Sequence, residues 1–401
     1  MRVYSTKGKE KRMKKKIVAA VLLALALAFG LTACGGSESN HTPSAPSAEN
    51  ANSQPEPAES IEKDPQAPDP DTRTIIDYNG REVEIPSTVE RIVCSGVGAL
   101  RYTCYMQGQD LVVGVEDYET KAGMSRLYNY VNFDKFENLP VTGTNGEPFV
   151  EEIISVDPQV IVMSSYASVD PDELQSKTGI PVVVVPGSDT TLDDKAYETI
   201  RIMGELYGKE DRAEELTAYL KGIEADLADR TAGVAEEDKP AVYVCGVSFK
   251  GAHGFEGTEA YYGPFELISA NNLANTTGQT GAFDIDLEQV LAWDPEIIFV
   301  DFNGMDLIRE DYAARPDYYQ SLTAVQEGRV YSQISFRSSA SNLETALADA
   351  YYAATILYEE QFAGVDIEEK TGEIFEMLLG TNPYGDLKDA GYEFKAVTIG
   401  E

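Results

Sequence analysis

Two polar residues in the second half of the chain have side chains suited to binding a ligand. His253 lies in a Gly-rich segment and is the only histidine after residue 41. Its imidazole could ligate haem iron or cobalt, or hydrogen-bond a carboxylate, although a lone histidine in such a loop often has a structural role. Arg337 follows an apolar run, and its planar guanidinium suits carboxylates, catecholates or propionates. The alternative for Arg337 is a surface salt bridge.

Aromatic residues follow predicted strand ends in both halves of the chain. They are Tyr118, Tyr166, Tyr261, Tyr262 and Phe302. Aromatic walls suit a bulky, flat or apolar ligand. We therefore expect these five residues to line a ligand cleft together with His253 and Arg337, while others of the 23 tyrosines fill the core.

The motifs of common enzymes are absent from the sequence, which contains no GxSxG, HExxH or phosphate-loop pattern. We expect no catalytic residue, no cofactor and, without a CxxC or Cys/His cluster, no structural zinc site. Cys94 and Cys245 end apolar runs and are predicted to be buried. A disulfide between Cys94 and Cys104 is possible in an extracytoplasmic protein, but their spacing alone does not predict it. Two alternative functions are a surface-anchored metal-dependent hydrolase and a binding protein for bare zinc or manganese ions.

Short runs rich in Val and Ile, separated by candidate helices, predict the elements that position these residues. Apolar runs in which apolar and polar residues do not alternate indicate strands that are buried on both faces of a parallel sheet. They occur at 90–96, 111–117, 159–165, 180–188, 239–248, 296–304 and 328–335, and a β-hairpin with an Asn-Gly turn precedes them at 74–86. Residues 192–236 instead predict two amphipathic helices with a break near Gly208.

The fold class is therefore α/β, with two Rossmann-like lobes of parallel strands joined by a long helical connector. The predicted boundaries are 74–191 for the N-terminal lobe, 192–236 for the connector and 237–401 for the C-terminal lobe. Ligands in such sheets gather beyond the carboxyl ends of the strands. The cleft between the lobes is the expected binding site.

One segment occurs twice in the chain, which supports two similar lobes. EEIISVDPQVIVM at 151–163 matches EQVLAWDPEIIFV at 288–300, 137 positions later. Each copy predicts a helix end, a turn at Asp-Pro and a buried strand. So long an interval differs from the 20 to 50 residue periods of solenoids and propellers.

The N-terminus predicts export and lipid anchoring. A basic segment and a short apolar run at 17–30 precede Leu31-Thr32-Ala33-Cys34, which is similar to a bacterial lipobox. The apolar run is shorter than the roughly 20 residues of a membrane span. We predict a lipoprotein signal peptide at 1–33, a lipid on Cys34 and a solvated tether at 34–73. The formal net charge of −36 excludes nucleic acid as a partner.

Several segments together resemble a known family. They are TIIDYNGREVEIPSTVERIVCSG, LVVGVED, EPFVEEIISVDPQVIV, MGELYGKEDRAEEL, YYGPFELISANNLAN and DLEQVLAWDPEIIFV, which span nearly all of 74–360 in the same order. The chain is similar to substrate-binding lipoproteins of ABC importers for iron complexes, the class that includes ferric siderophore, haem and vitamin B12 binding proteins.

The resemblance implies a class III periplasmic-binding-protein fold and a non-enzymatic receptor at the extracytoplasmic face of the cell membrane. Its ligand would be an iron or cobalt complex, and its partners a dimeric ABC permease with its ATPase. In this family one acidic residue on each lobe docks against arginines of the permease, and the matching positions are Glu151 and Glu288. The alternative is that each glutamate only favours its helix N-terminus through the helix dipole.

The helical connector predicts limited motion between the lobes. A packed helix resists the large backbone rotations that a hinge must absorb. We therefore expect slight closure around a largely pre-formed cleft, with Tyr118 and Tyr166 on one wall and His253, Tyr261 and Arg337 on the other.

Substitution of the lipidation site tests the anchoring prediction. The Cys34→Ala variant should leave the membrane fraction while keeping its ligand affinity, because the anchor and the cleft are separate parts of the chain. Membrane fractionation with a ligand titration measures both properties. Equal membrane retention of the variant and the unmodified protein would contradict the lipoprotein assignment.

Overall fold

The computed structural model describes residues 71–187 and 191–400. The predicted signal peptide, Cys34 and nearly all of the tether lie outside these residues. Within them, no helix combines the length and apolar character needed to cross a membrane.

The described chain begins with the predicted β-hairpin. Strands β1 (Thr72–Ile76) and β2 (Glu82–Pro86) pair in antiparallel register. Gly80 in the Asn-Gly turn has φ of 75°, a conformation that favours glycine. The hairpin is attached to the first lobe, because the backbone N–H of Tyr78 donates to the carbonyl of Val184 at 3.0 Å.

The first lobe contains a six-stranded sheet that is parallel except for one short edge strand. Its strands are β3 (Ile92–Ser95), β4 (Val112–Glu116), β5 (Val141–Thr144), β6 (Glu147–Pro148), β7 (Val160–Ser164) and β8 (Val182–Val185). The strand order is β6-β5-β4-β3-β7-β8, and only β6 runs antiparallel to its neighbour. Strand order therefore reverses between β3 and β7, which is the switch point where ligands gather in such sheets.

Helices cover this sheet. They are α1 (Ala99–Tyr105), α2 (Leu127–Tyr130), α3 (Phe133–Phe136), α4 (Val150–Ser155) and α5 (Pro171–Thr178), with 3₁₀ turns at Gln109–Leu111 and Asp117–Thr120. The four strands predicted for this lobe are confirmed, whereas β5 and β6 were not expected. Both unexpected strands are short and rich in Gly, Thr, Glu or Pro, so they lack an apolar run.

The connector consists of the two predicted helices. Helix α6 (Asp194–Tyr207) starts at Asp193, whose carboxylate accepts a hydrogen bond from the backbone N–H of Ala196 at 2.9 Å. It ends at Gly208, which has φ of 63°, and α7 (Glu210–Thr231) follows directly. The predicted break at Gly208 is therefore a glycine helix cap.

The second lobe contains six strands, which are β9 (Ala241–Cys245), β10 (Gly257–Ala260), β11 (Asn271–Asn272), β12 (Gly281–Asp284), β13 (Ile297–Asp301) and β14 (Val330–Gln333). Four of them form a parallel sheet in the order β11-β9-β13-β14, and β10 and β12 form a separate antiparallel pair. The first helices are α8 (Gly263–Glu266), α9 (Leu287–Trp293), α10 (Met305–Ala314), α11 (Pro316–Gln320) and α12 (Thr323–Gln326). The last helices are α13 (Leu343–Leu357), α14 (Glu359–Phe362), α15 (Ile367–Leu379) and α16 (Tyr384–Asp389), and 3₁₀ turns lie at Glu236–Asp238, Leu273–Thr277 and Phe302–Gly304. The α/β fold class with parallel sheets in two lobes is confirmed.

The chain returns to the first lobe after completing the second. Arg212 of α7 donates to the backbone carbonyl of Tyr105 in α1, at 3.1 Å from Nε and 3.0 Å from Nη2, and also to the carbonyl of Met377 in α15. Tyr130 donates from its hydroxyl to Asp386 in α16 at 3.2 Å. The connector is thus held between an N-terminal helix and a C-terminal helix, and one apolar core runs through both lobes.

This packing leads to a prediction about motion between the lobes. We expect the radius of gyration to change by less than about 1 Å on ligand binding, because both connector helices are packed along their length. Small-angle scattering with and without ligand measures this change. A large decrease would mean that the chain bends at Gly208 and that the lobes swing.

Candidate ligand-binding cleft

Each parallel sheet has a glycine directly after its first strand, at the carboxyl edge. Gly96 follows β3 with φ of 84°, and Gly246 follows β9 with φ of 75°. A Cβ atom on Gly96 would lie 3.2 Å from the Cβ of Ser164 and 3.3 Å from the Cβ of Ala167, and one on Gly246 would lie 2.8 Å from the carbonyl of Asp301. Both glycines therefore combine a left-handed backbone with close neighbours, and a side chain at either position would be strained.

A buried carboxylate holds the loops of the first lobe together. One oxygen of Glu116, the last residue of β4, accepts hydrogen bonds from the backbone N–H groups of Gly96 and Gly146, both at 2.9 Å. Burial raises the pKa of Glu116, and these two hydrogen bonds oppose that rise by favouring the charged form. The loops after β3, β4 and β5 are thereby fixed relative to one another.

The second lobe uses an aspartate in a similar position. Asp301, the last residue of β13, is fully buried and accepts hydrogen bonds from the backbone N–H of Asn303 at 3.0 Å and from the hydroxyl of Ser335. Burial raises the pKa of Asp301 to about 7. The carboxyl group joins the loops that follow β13 and β14.

A buried arginine connects the lobes beside the cleft. Arg101 of α1 donates from Nε to the side-chain oxygen of Asn342 at 3.0 Å and from Nη1 to the carbonyl of Ser341 at 2.9 Å. Its Nη2 donates to the carbonyl of Ser338 at 3.0 Å and to that of Ser339. The segment 338–342 of the second lobe is therefore attached to the first helix of the first lobe.

Two of the predicted ligand residues meet at a cavity of 400 Å³. Tyr261 is 51% exposed, and Arg337 donates to Glu259, with 3.0 Å between Nε and Oε2 and a second hydrogen bond from Nη2. The cavity is also lined by Thr191 and Leu192 at the start of the connector and by Glu266. It lies between the connector and the second lobe.

The predicted tyrosines of the first lobe lie at the carboxyl edge of its sheet. Tyr118 follows β4 and is half-buried, with the guanidinium of Arg126 at 5.2 Å from its ring centre. Tyr166 follows β7 and is 39% exposed. Its ring covers Gly187, where a Cβ atom would lie only 2.1 Å from the ring.

Tyr262 does not line the cleft, contrary to the expectation from the sequence. Its side chain is fully buried, and its hydroxyl donates to the side-chain oxygen of Gln333 at 3.0 Å. Its ring also makes edge contacts with Phe265 and Phe336. Tyr262 is a core residue.

His253 and Phe302 also lie away from this cavity. The ring of His253 stacks on Phe249 at 3.7 Å, and its nitrogens contact Asp284 at 2.7 Å and the carbonyl of Phe249 at 2.8 Å. Both nitrogens are thus in contact with polar atoms of the protein, which favours the structural alternative for this histidine. Phe302 packs on Tyr392 at 4.5 Å and lines a different cavity of 530 Å³.

The three cysteines of the described chain have no disulfide partners. Cys94, Cys104 and Cys245 are buried free thiols. Burial was predicted for Cys94 and Cys245, and Cys94 and Cys104 do not form a disulfide. Burial raises the pKa of Cys94 to about 12, so its thiol stays protonated. No group of three or more potential metal ligands occurs within 71–187 and 191–400.

The two predicted docking residues are exposed on equivalent helices. Glu151 lies in the first turn of α4, and Glu288 lies in the first turn of α9. Asp286 caps α9, because its carboxylate accepts a hydrogen bond from the backbone N–H of Glu288 at 2.9 Å.

Comparison with known proteins identifies the family of this chain and several relatives. The family model described as periplasmic binding protein matches residues 110–333. The molybdate-binding protein MolA of Haemophilus influenzae is 23% identical over 332 residues, which cover 77% of this chain and 92% of MolA. An ABC transporter substrate-binding lipoprotein of Bacillus subtilis, YvrC, is 24% identical over 262 residues, covering 64% of this chain and 77% of YvrC.

Solved structures show the same fold. A periplasmic solute-binding protein of Veillonella parvula has a TM-score of 0.63 at 19% identity, covering 78% of this chain and 94% of its own. The structure of MolA bound to molybdate has a TM-score of 0.61 at 21% identity, covering 77% of this chain and 98% of its own.

The carboxyl group of Asp301 predicts how stability depends on pH. Its pKa is about 7 in the fold against a usual 3.8, so the folded state holds a proton that unfolding releases between these pH values. This group therefore lowers the free energy of unfolding as pH rises across that window, by at most about 1.4 kcal/mol per pH unit. Asp301→Asn should remove this contribution.

Urea unfolding at several pH values between pH 4 and pH 7 measures the effect. Asp306→Asn is the control, because it makes the same substitution at a side chain that is 91% exposed and lies outside the hydrogen bonds of Asp301. If Asp301→Asn keeps the pH dependence of the unmodified protein, the carboxyl group does not titrate in this window.

Proposed function

The chain belongs to the periplasmic binding protein family and is an ABC substrate-binding protein of the iron-complex group, and we propose that it captures a metal chelate and delivers it to a permease. The proposal includes a lipid anchor on Cys34 at the extracytoplasmic face of the membrane. Its relatives are substrate-binding proteins, so the hydrolase alternative is not retained.

The observation that carries the proposed ligand site is the cavity beside Tyr261 and Arg337. Its volume of 400 Å³ falls within the roughly 300 to 1,000 Å³ typical of small-molecule sites. The cavity adjoins the connector, and Arg101 attaches the neighbouring segment 338–342 to the first lobe. A ligand bound here would contact a pre-formed surface.

The backbone of Tyr261 supports a functional role for this residue. Its φ of 57° is unfavourable for a bulky side chain, and its backbone N–H is held by the side-chain oxygen of Asn275 at 2.7 Å. Such conformations cost about 1 to 3 kcal/mol and cluster at binding sites. Here the conformation coincides with an aromatic ring that is half exposed at the cavity.

The charges of the cavity favour one class of metal complex. The charged side chains among its described lining residues are Glu259, Glu266 and Arg337, and the guanidinium of Arg337 already pairs with Glu259. Two carboxylates and one guanidinium disfavour a ligand with several negative charges, because their net charge repels it. We infer that the ligand is a neutral or weakly charged chelate with apolar surface, such as a ferric hydroxamate or a corrinoid, rather than an oxyanion.

Glu151 and Glu288 are the proposed contacts to the permease. They are exposed on equivalent helices of the two lobes and belong to neither the cavity nor its supporting loops. An acid on each lobe gives two electrostatic contacts that orient the receptor on a dimeric partner.

A thermal-shift screen tests the proposed ligand class. The purified protein is heated with a ferric hydroxamate siderophore, cobalamin, haemin, ferric citrate or molybdate. A ligand at about 100 times its dissociation constant should add roughly 2.7 kcal/mol to stability. We expect stabilisation by the hydroxamate or cobalamin, and stabilisation by molybdate alone would overturn the charge argument.

Substitution at the cavity then locates the site. Tyr261→Asn should weaken binding about tenfold, because it removes the ring while suiting the left-handed backbone. Tyr78→Asn is a matched control, since Tyr78 is 40% exposed in the β1–β2 turn and lies away from the cavity. Equal affinities of the two variants would place the ligand elsewhere.

A further inference from the structure

Two exposed apolar side chains occupy the same position in the repeated segments of the two lobes. Ile154 is 47% exposed in α4, and Leu291 is 40% exposed in α9. Each follows its docking glutamate, Glu151 or Glu288, by three residues. Side chains three residues apart share one face of a helix. Both helices therefore present an acid and an apolar side chain next to each other.

The local structure around the two pairs is also equivalent. Each helix is followed by an aspartate before proline with a left-handed backbone: Asp157, two residues after the end of α4, has φ of 48°, and Asp294, directly after α9, has φ of 45°. Two residues after each aspartate, a side-chain oxygen accepts a hydrogen bond from a backbone N–H at the start of the first strand of the same sheet. Gln159 accepts from Arg91, which precedes β3, and Glu296 accepts from Ala241, which begins β9, both at 3.0 Å. The two helices thus have the same attachment to their lobes.

The buried side of each helix explains why these apolar residues are not needed for packing. Ile153 and Val290, which directly precede Ile154 and Leu291, are fully buried and anchor the helices to their lobes. Single exposed apolar residues are common on protein surfaces and need no explanation. An exposed apolar residue in the same position of both repeats, beside an acid each time, is a shared feature of the two lobes.

We propose that Ile154 and Leu291 are the apolar parts of two docking points for the permease, each fitting an apolar depression next to a basic side chain. This inference rests on the proposed function. A dimeric permease offers two similar surfaces, which the duplicated pairs match. A second copy of this chain is disfavoured as the partner, because the formal net charge of −36 makes two copies repel each other.

The acids and the apolar side chains should contribute in different ways. Exposed acids accelerate association through electrostatic attraction, and this acceleration weakens at high salt because ions screen the charges. Burial of apolar surface mainly lowers the dissociation rate, and this decrease is not screened by salt. Burying the exposed part of one such side chain should tighten binding about fivefold. The loss in the double variant should be about the product of the single losses.

The experiment measures binding of the full-length protein to the permease–ATPase complex of the same organism in nanodiscs, by surface plasmon resonance at low and at high salt. The test variants are Ile154→Ser, Leu291→Ser and their combination. Ile76→Ser and Leu307→Ser are controls, because these residues are 56% and 39% exposed and lie outside the repeats. We expect faster dissociation of the test variants at both salt concentrations, and binding of the controls like that of the unmodified protein.

A third variant separates this inference from the proposed function. Glu151→Arg with Glu288→Arg should slow association, most strongly at low salt. If this variant loses binding while the Ile154→Ser and Leu291→Ser combination binds like the unmodified protein, the apolar contacts are refuted and acid docking stands. If the unmodified protein does not bind the complex, the proposed function fails as well. Self-association that the apolar substitutions abolish would instead assign the surface to a second copy.

Discussion

One buried guanidinium links the two lobes beside the cavity, in addition to the connector and the shared apolar core. Arg101 on the first helix donates to Asn342 and to three backbone carbonyls of the segment 338–341. A buried charge without such acceptors would be costly, so helix and segment are held together as a unit. Because Arg337 directly precedes this segment, the same hydrogen bonds set its place at the cavity. The ligand surface of the second lobe is therefore positioned by a residue of the first.

Buried carboxylates give the cleft loops a similar rigidity. Glu116 and Asp301 each end a strand and accept hydrogen bonds from the loops beside it. Their burial raises both pKa values, which is the cost of removing a charge from water, and the hydrogen bonds recover part of that cost. In both lobes an acid thus converts flexible Gly-rich turns into a defined edge of the sheet. This agrees with a cleft that is largely formed before a ligand binds.

The proposed ligand cavity and the proposed docking surface share no residue. The cavity is lined by Tyr261, Arg337 and their neighbours, whereas Glu151 and Glu288 lie on short helices before β7 and β13. The lining can therefore change its charge or shape without altering contacts to a permease. The fold that this chain shares with the molybdate-bound MolA therefore does not by itself fix the ligand.

The sequence by itself determined seven of the parallel strands, the helix break at Gly208 and the duplicated segments, because each depends on local patterns of apolar residues, glycine and proline, whereas the short parallel strands β5 and β11 lack such a pattern. It did not determine the pairing of β10 with β12, whose residues lack an apolar run, or the return of α15 and α16 to the first lobe. Neighbouring residues show the reason most clearly. Tyr261 is half exposed at the cavity and has a left-handed backbone, whereas its neighbour Tyr262 is fully buried, and the two residue types are identical. The left-handed backbone of Tyr261 is stabilised by a contact with Asn275, 14 residues away, which local patterns in the sequence do not specify.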